Sequence, residues 1–168
     1  GGQDAYDEAD KLLKSLPITI YDASNDDKNF EVEVFAAWLK GCHVSKGIQV
    51  VYMDYAQEMT SIVSGTASDR ILQGEVCSSV CRRLAASTGL PLVIGSQITV
   101  NPVTGPMTKG NRCWEERAAW VIRIEDGEQP GGRTVKIQYS RFGDQGVELP
   151  FRFDRETLSL RECAFNVP

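Results

Sequence analysis

Two short apolar runs each end in a polar side chain that is able to bind a ligand. Residues 48–57 read Ile-Gln-Val-Val-Tyr-Met-Asp-Tyr-Ala-Gln, so the apolar run ends at Asp54. Residues 90–97 read Leu-Pro-Leu-Val-Ile-Gly-Ser-Gln and end at Gln97. Open α/β sheets bind their ligands at the carboxyl ends of parallel strands. Asp54 and Gln97 are therefore candidates for one binding site. The alternative for Asp54 is a cap on the next helix.

These two runs predict neighbouring strands joined by a helix. An apolar run as short as Val50–Met53 is typical of a strand buried on both faces, as in a parallel sheet. Between the runs, a helix is predicted from about residue 68 to 88, ending at Gly89. Its apolar stripe repeats every four residues, at Leu72, Val76, Val80 and Leu84. We expect a three-layer α/β sheet with Asp54 and Gln97 on adjacent parallel strands, at the same carboxyl edge.

Two helices and a strand are predicted upstream of Asp54. Residues 1–15 predict an amphipathic helix, and residues 18–21 predict a short strand. The leucines expected to face inward from the first helix are Leu12, Leu13 and Leu16. The second helix is expected to take its cap from Ser24–Asp27 and to end at Gly41. Its predicted inward face is Phe30, Val34, Phe35 and Trp38.

The region after Gln97 predicts a loop followed by strands. Residues 98–113 contain two prolines and two glycines, which indicates a long loop. Trp120–Ile124 is a predicted strand. Arg133–Tyr139 and Gly146–Phe153 alternate in polarity, which predicts an antiparallel pair appended to the parallel sheet.

Composition indicates a single soluble domain. The 168 residues are 42% apolar, which is ample for one core spanning residues 1–168. No apolar stretch approaches the roughly 18 residues that cross a bilayer, and no secretory signal is visible. The net charge of −5 argues against a surface that binds nucleic acid throughout. It leaves open a ring-shaped assembly in which only the loops facing a central channel are basic.

The five cysteines contain no Cys-x-x-Cys pair. Cys77 and Cys81 lie four residues apart on the predicted helix, a spacing that suits either a metal site or small core side chains. We favour the core interpretation. Cys42 lies beside His43, the only histidine, without two further ligands nearby, which argues against zinc. Reduced thiols suit a cytoplasmic protein.

Several segments resemble the RecA-like motor domain of DnaB-type replicative helicases. VVYMDYAQ is similar to that family's Walker B strand, and GEVCSSVCRRLAASTGLPLVIGSQI is similar to the helix and strand that follow it. SRFGDQG is similar to the segment that carries the family's arginine finger. The resemblance covers roughly residues 17–160. It implies a fragment of an α/β RecA-like P-loop NTPase core, with a mostly parallel sheet flanked by helices and a C-terminal antiparallel hairpin.

The resemblance assigns roles to individual residues. Asp54 matches the Walker B aspartate, which holds Mg²⁺ through water. Gln57 matches the glutamine just after it, which implies a role in binding the nucleotide, or else is a surface amide. Gln97 matches the residue that senses the γ-phosphate of ATP and couples it to the DNA-facing loop. Arg141 matches the arginine finger that reaches a neighbouring subunit, or else is an exposed hairpin arginine.

Other positions bear on these assignments. Gly143 and Gly146 would permit the turn that presents the finger. The family commonly has lysine two residues before the finger, where this chain has Tyr139, so a clamp of two cations is in doubt. The DNA-contacting residues that the resemblance implies in the 98–113 loop are Lys109, Gly110 and Arg112. A solvated loop is the alternative for this segment.

The sequence contains no Gly-x-x-x-x-Gly-Lys-Ser/Thr phosphate loop. In the family that this chain resembles, that loop precedes the region of likeness, so we expect Gly1 to be an interior position of a longer protein. The chain alone is not expected to hydrolyse ATP.

Three functions remain open at this stage. The first is part of a hexameric helicase motor that uses ATP and Mg²⁺ to move on single-stranded DNA. The second is a non-catalytic RecA-like module for assembly or helicase loading, and the third is a recombinase relative. Asp-Tyr-x-Gln together with Arg-x-Gly-x-x-Gly favours the helicase.

Overall fold

A computed structural model describes residues 2–23, 30–63, 70–101, 105–108, 112–127, 131–154, 156–157 and 159–163. The helices are α1 (Gly2–Ser15), α2 (Val32–Lys46), α3 (Arg70–Thr88) and α4 (Cys113–Arg117). The first strands are β1 (Phe30–Glu31), β2 (Val51–Met53), β3 (Met59–Thr60), β4 (Leu92–Ile94), β5 (Ile98–Asn101) and β6 (Gly105–Thr108). The last four are β7 (Trp120–Asp126), β8 (Gly132–Ser140), β9 (Glu148–Asp154) and β10 (Ser159–Glu162).

The strands form several small sheets. β2 pairs with β4 in parallel, with Val51 opposite Leu92 and Met53 opposite Ile94. β1 also pairs with β3 in parallel, and β5 pairs with β6 antiparallel. The C-terminal strands form an antiparallel sheet in the order β10-β9-β8-β7. The adjacent parallel strands and the C-terminal antiparallel pair are confirmed. Among the described residues, however, the antiparallel strands form a separate sheet instead of extending the parallel one, and the single three-layer sheet does not form.

Two predictions about individual strands were wrong. β2 buries Val51 and Met53, but Tyr52 between them is 75% exposed, so only one face of this strand is covered. The expected loop at 98–113 contains the β5–β6 hairpin and begins α4 at Cys113. The physical reason is that the prolines and glycines of this segment do not prevent two short strands from pairing. Pro106 lies at the start of β6 opposite Val100.

α2 begins and ends at different residues from those predicted. Its N-cap is Glu31, without a side-chain cap bond, while Ser24–Asp27 lies outside the described residues. The helix continues through Gly41 because a glycine inside a helix costs only about 1 kcal/mol, and the next residue packs in the core. Gly47 ends it with a φ of 65°, and its N–H donates to the His43 carbonyl at 3.1 Å.

The buried face of α2 is Val32, Phe35, Leu39 and Cys42. Val34, predicted to face inward, is exposed. The buried residues follow a spacing of three and four, as a helix with 3.6 residues per turn requires.

α3 shows a similar shift of its buried face. Cys77, Cys81 and Leu84 are buried, while Leu72 is 44% exposed. A strict four-residue spacing advances about 40° per step around a helix, so Leu72 and Leu84 lie about 120° apart. Burial raises the pKa of Cys77 and of Cys81 to about 12, which keeps both thiols protonated at neutral pH. The interpretation of these cysteines as core side chains is confirmed.

The N-terminal segment differs most from expectation. α1 forms, but its three leucines are exposed: Leu12, Leu13 and Leu16. Residues 18–21 are not in a strand, although the 17–23 segment borders β2 across a cavity of about 920 Å³. Ile18 and Ile20 are 58% and 81% exposed, so this segment lacks the covered apolar face on which the predicted strand depends.

The core lies between α2, α3 and the β2–β4 pair. Its fully buried members include Val32, Leu39 and Cys77. Tyr21 packs its ring on Trp38 with centroids 4.7 Å apart, beside Phe30 and Phe35. This core fixes β2, and it therefore fixes the position of the residue that follows the strand. Within the described segments, no helix has the length and apolar character needed to cross a membrane.

Candidate functional site

The carboxyl ends of β2 and β4 meet at one edge and stay joined beyond the strands. Asp54 follows β2 directly, and Gly95 begins the segment that leads from β4 to Gln97. The Gly95 N–H donates to the Met53 carbonyl at 2.8 Å, and the Ala56 N–H donates to the Gly95 carbonyl at 2.9 Å. Asp54 and Gln97 thus follow adjacent parallel strands at the same edge, as the sequence predicts.

Gly95 leaves room beside the Asp54 carboxylate. A Cβ atom at position 95 would lie 3.5 Å from Asp54 Oδ1 and 3.5 Å from the Met53 carbonyl oxygen. Asp54 is exposed, so a cation and its water shell have access to it.

Gln57 connects the two chain segments at this edge. Its Nε2 donates to Ser96 Oγ at 2.9 Å and to the Gln97 carbonyl at 3.1 Å. Its Oε1 accepts from the Gln97 N–H at 3.3 Å. The side chain starts from a 3₁₀ turn, Ala56–Glu58, whose Ala56 is buried. Gln57 therefore holds the backbone on which Gln97 is carried.

Tyr55 and Glu58 form a pair next to Asp54. The Tyr55 hydroxyl donates to Glu58 Oε1 at 2.7 Å. This hydrogen bond raises the pKa of Tyr55 above 10.0, with a further contribution from the negative charges of Glu58 and Asp54. Both side chains line the cavity beside β2, which reaches Asp54 at one end.

The residues at this edge fit a magnesium ion held mainly by water and phosphate. Mg²⁺ keeps several waters and is usually bound through one or two carboxylates together with substrate phosphates. One carboxylate, Asp54, stands exposed at the strand ends, with Gly95 beside it. No group of three or more possible metal ligands comes together in the described part of the chain. A cage made entirely of protein ligands is therefore not built from these residues.

Arg141 lies on the C-terminal sheet, at the first residue after β8. Its N–H donates to the Ala119 carbonyl at 3.0 Å, and Nη2 donates to the Glu116 carbonyl at 3.2 Å. The side chain is exposed. These contacts hold Arg141 against the segment that joins α4 to β7, and Asp54 and Gln97 lie on a different sheet.

The turn after Arg141 contains two glycines, Gly143 and Gly146, which differ in what the backbone requires of them. Gly146 has a φ of 77°, which favours glycine, and its N–H donates to the Ile137 carbonyl at 2.8 Å. A Cβ at Gly143 would lie 3.6 Å from Ser140 Oγ, an ordinary contact. Gly146 thus permits the turn as predicted, whereas Gly143 has no comparable backbone requirement.

A buried ion pair positions the segment on which Arg141 rests. Arg123 of β7 is 8% exposed and pairs with Glu115 of α4 at 3.5 Å between Nη2 and Oε1. This pair fixes α4 against the C-terminal sheet, and α4 provides the Glu116 carbonyl that binds Arg141.

The residues predicted to contact DNA are described only in part. The β5–β6 hairpin begins immediately after Gln97, with Ile98 opposite Thr108. Lys109 and Gly110 lie outside the described residues. Arg112 is exposed and immediately precedes α4. The hairpin therefore extends directly from the edge that carries Asp54 and Gln97.

Some functional contacts were not predicted from sequence. The partner of Gln57 and the open side of Asp54 both depend on how residues 95–97 leave β4. One sequence signal for them exists, because Gly95 interrupts an otherwise apolar strand end, and glycine there marks a close backbone approach. The carbonyl acceptors of Arg141 carry no sequence signal.

Comparison with known proteins finds solved structures of similar fold. No family model matches the chain, and no curated protein matches it. Among solved structures, 90 chains match. One of them, the structure of an ATPase domain, aligns with a TM-score of 0.68 and 16% identity over 80% of this chain. A DnaB-like replicative helicase, solved to describe its interactions with primase, aligns with a TM-score of 0.67 and 16% identity over 80% of this chain.

The chain spans 52% of the first of these structures and 35% of the second. At this identity the likeness establishes the fold. The chain has the α/β fold of DnaB-like helicase ATPase domains, which confirms the predicted RecA-like core in its general form.

Proposed function

We propose that this chain is part of the ATP-driven motor of a DnaB-like replicative DNA helicase. One observation carries the proposal: in a fold of this kind, Asp54 and Gln97 follow adjacent parallel strands whose ends are hydrogen-bonded together. This edge is where open α/β sheets bind ligands. The 168 residues form one domain of that motor.

Asp54 holds Mg²⁺ through water at this edge, and the ion would neutralise charge on the phosphates of bound ATP. Gln97 senses the γ-phosphate. The support is its position, because Gln57 holds the backbone of Gln97 at the same edge as Asp54. The exposed Asp54 carboxylate at the strand ends supports this assignment.

Arg141 acts on the nucleotide of a neighbouring subunit. Its guanidinium is exposed, and its contacts anchor it to the C-terminal sheet, away from the Asp54 edge of its own chain. An arginine supplied across a subunit boundary stabilises charge in the transition state and can raise the rate roughly 10³–10⁵-fold. A ring, and specifically a hexamer, provides such a boundary at each subunit.

The β5–β6 hairpin and the residues after it contact single-stranded DNA. The cations of this segment, Lys109 and Arg112, together with Gly110, would bind phosphates through charge and backbone amides. The support is the direct continuity of Gln97 with β5.

A non-catalytic RecA-like module for assembly or loading is the second candidate. It is favoured by one specific observation, the lack of a phosphate-loop motif in the 168 residues. The two functions differ in whether the protein that contains this chain hydrolyses ATP.

The test is to replace Asp54 with Asn in the protein that contains this chain. We expect ATP hydrolysis and magnesium-dependent nucleotide binding to fall about 10–100-fold, because an outer carboxylate orients the bound ion. Glu8→Gln is the control, since Glu8 is an exposed carboxylate on α1 and not at the β2–β4 edge. It should retain nearly full activity. Equal activity of Asp54→Asn and the unsubstituted protein would reject the proposed site.

A further inference from the structure

We infer that Gln57 is a positioning residue that couples the end of β2 to the β5–β6 hairpin, and this inference rests on the proposed function. The resemblance to helicases suggested a role for Gln57 in holding nucleotide. The geometry points to a different role, because both polar atoms of its side chain bind the protein's own chain.

The Gln57 amide pairs with the 96–97 segment as a peptide group of a neighbouring strand would. Nε2 donates to the Gln97 carbonyl, and Oε1 accepts from the Gln97 N–H. These two bonds bind both backbone groups of one residue. A third bond, from Nε2 to Ser96 Oγ, fixes the orientation of the amide. A side chain thus continues the β2–β4 pairing beyond the point where the backbone ladder ends.

The base of this connection is hydrogen-bonded to the β4 side and partly buried. Gln57 belongs to the 3₁₀ turn that follows Asp54, and the Ala56 N–H in that turn donates to the Gly95 carbonyl. Ala56 itself is 3% exposed. The turn is therefore joined to the β4 side by one backbone bond and by the three bonds of Gln57.

The far end of the connection is the first residue of the hairpin. Ile98 starts β5 directly after Gln97, so the position of Gln97 sets the direction in which the hairpin leaves the sheet. A displacement of the Asp54 segment on ATP binding would move the 3₁₀ turn, and Gln57 would transmit that movement to the hairpin base. Without Gln57, the two segments would lose these side-chain bonds and retain the backbone bonds of Gly95.

Two substitutions separate positioning from nucleotide binding. Gln57→Ala removes all three bonds. Gln57→Glu keeps the shape and an acceptor for the Gln97 N–H but places a carboxylate against the Gln97 carbonyl, where the donor was. The control is Gln49→Ala, an exposed glutamine at the opposite end of β2. If Gln57→Ala fails to fold, Gln57→Glu alone tests the positioning role.

The measurement is steady-state ATP hydrolysis by the protein that contains this chain, with and without oligo(dT), across ATP concentrations. The stimulation is the ratio of the hydrolysis rate with oligo(dT) to the rate without it. We expect this ratio to fall about 5-fold or more in both Gln57 variants, a typical size for coupling between sites. The KM for ATP should change less than about 2-fold, and Gln49→Ala should retain the stimulation.

The outcomes are distinct. A raised KM for ATP with unchanged stimulation would mean that Gln57 binds nucleotide. That result would overturn this inference and leave the proposed function standing. Unchanged kinetics in both variants would also overturn it. An unsubstituted protein that shows no hydrolysis, with or without oligo(dT), would reject the proposed function and this inference with it.

Discussion

Asp54 lies exposed at the end of β2, between Gly95 and a hydrogen-bonded pair. Gly95 lies beside its carboxylate, and the Tyr55 hydroxyl donates to Glu58. The strand-end position of Asp54 was predictable from the apolar run before it. The contacts of Gln57 were not, because they join residues 40 positions apart through a turn whose geometry no local pattern encodes.

Titration of Tyr55 tests this local arrangement. The accepting oxygen and negative charge of Glu58 stabilise the protonated phenol, so the pKa of Tyr55 is raised from 10.0. Its contribution to stability is present below that ordinary value and is lost as pH rises through the raised pKa. Glu58→Gln should return the pKa toward 10.0, measured by NMR of ¹³C-labelled tyrosine.

Asp54→Asn is the companion variant for this titration. Asp54 makes the smallest of the contributions that raise the pKa of Tyr55, so its replacement should lower that pKa less than Glu58→Gln does. A Tyr55 titration that is the same with and without Glu58 would contradict the hydrogen bond.

The order of helices and strands around the site was predictable, but their buried faces were less so. α2, α3, β2 and β4 occur in the predicted order because apolar runs, glycines and prolines mark their limits. Burial depends on what each element packs against. Leu12 and Leu13 of α1 are exposed although their spacing is amphipathic, since no described element covers them.

Substitutions in α3 distinguish its observed buried face from the one predicted by four-residue spacing. Leu84 is 2% exposed, so Leu84→Ala should lower the free energy of unfolding by about 2–5 kcal/mol through lost burial and a cavity. Leu72 is 44% exposed, so Leu72→Ala should cost less than about 1 kcal/mol. Urea denaturation of both variants provides the comparison. Equal losses would mean that the two leucines share one buried face.

The whole molecule separates its candidate functional residues onto two sheets. Asp54, Gln57 and Gln97 lie at the β2–β4 edge, while Arg141 lies at the end of β8. This separation was not predictable from sequence, because the spacing of residues along the chain does not specify which sheet each strand joins. The placement of Arg141 and Asp54 on different sheets is consistent with the proposal that Arg141 acts at the site of a second subunit.

The 168-residue chain alone should bind ATP·Mg²⁺ weakly or not at all. It carries the Asp54 edge but no phosphate-loop motif, and the amides and lysine of such a loop provide most phosphate contacts. Isothermal titration calorimetry should give no saturable binding in the micromolar range. Micromolar affinity, equivalent to about −8 kcal/mol, would require an unrecognised phosphate site in this chain.

Mixed rings test the central claim, that Asp54 and Arg141 serve one nucleotide site from two subunits. In the protein that contains this chain, Asp54→Ala and Arg141→Ala should each abolish most ATP hydrolysis. Arg141→Ala should leave nucleotide binding largely intact, because the guanidinium acts mainly on charge that develops in the transition state.

Mixing the two inactive variants creates some interfaces with an intact Asp54 on one subunit and an intact Arg141 on the next. Native mass spectrometry identifies the mixed assemblies, and their ATP hydrolysis is then measured against that of each variant alone. The account predicts partial recovery of hydrolysis in the mixture. Undiminished hydrolysis by Arg141→Ala alone, or no recovery in assemblies verified to be mixed, would contradict it.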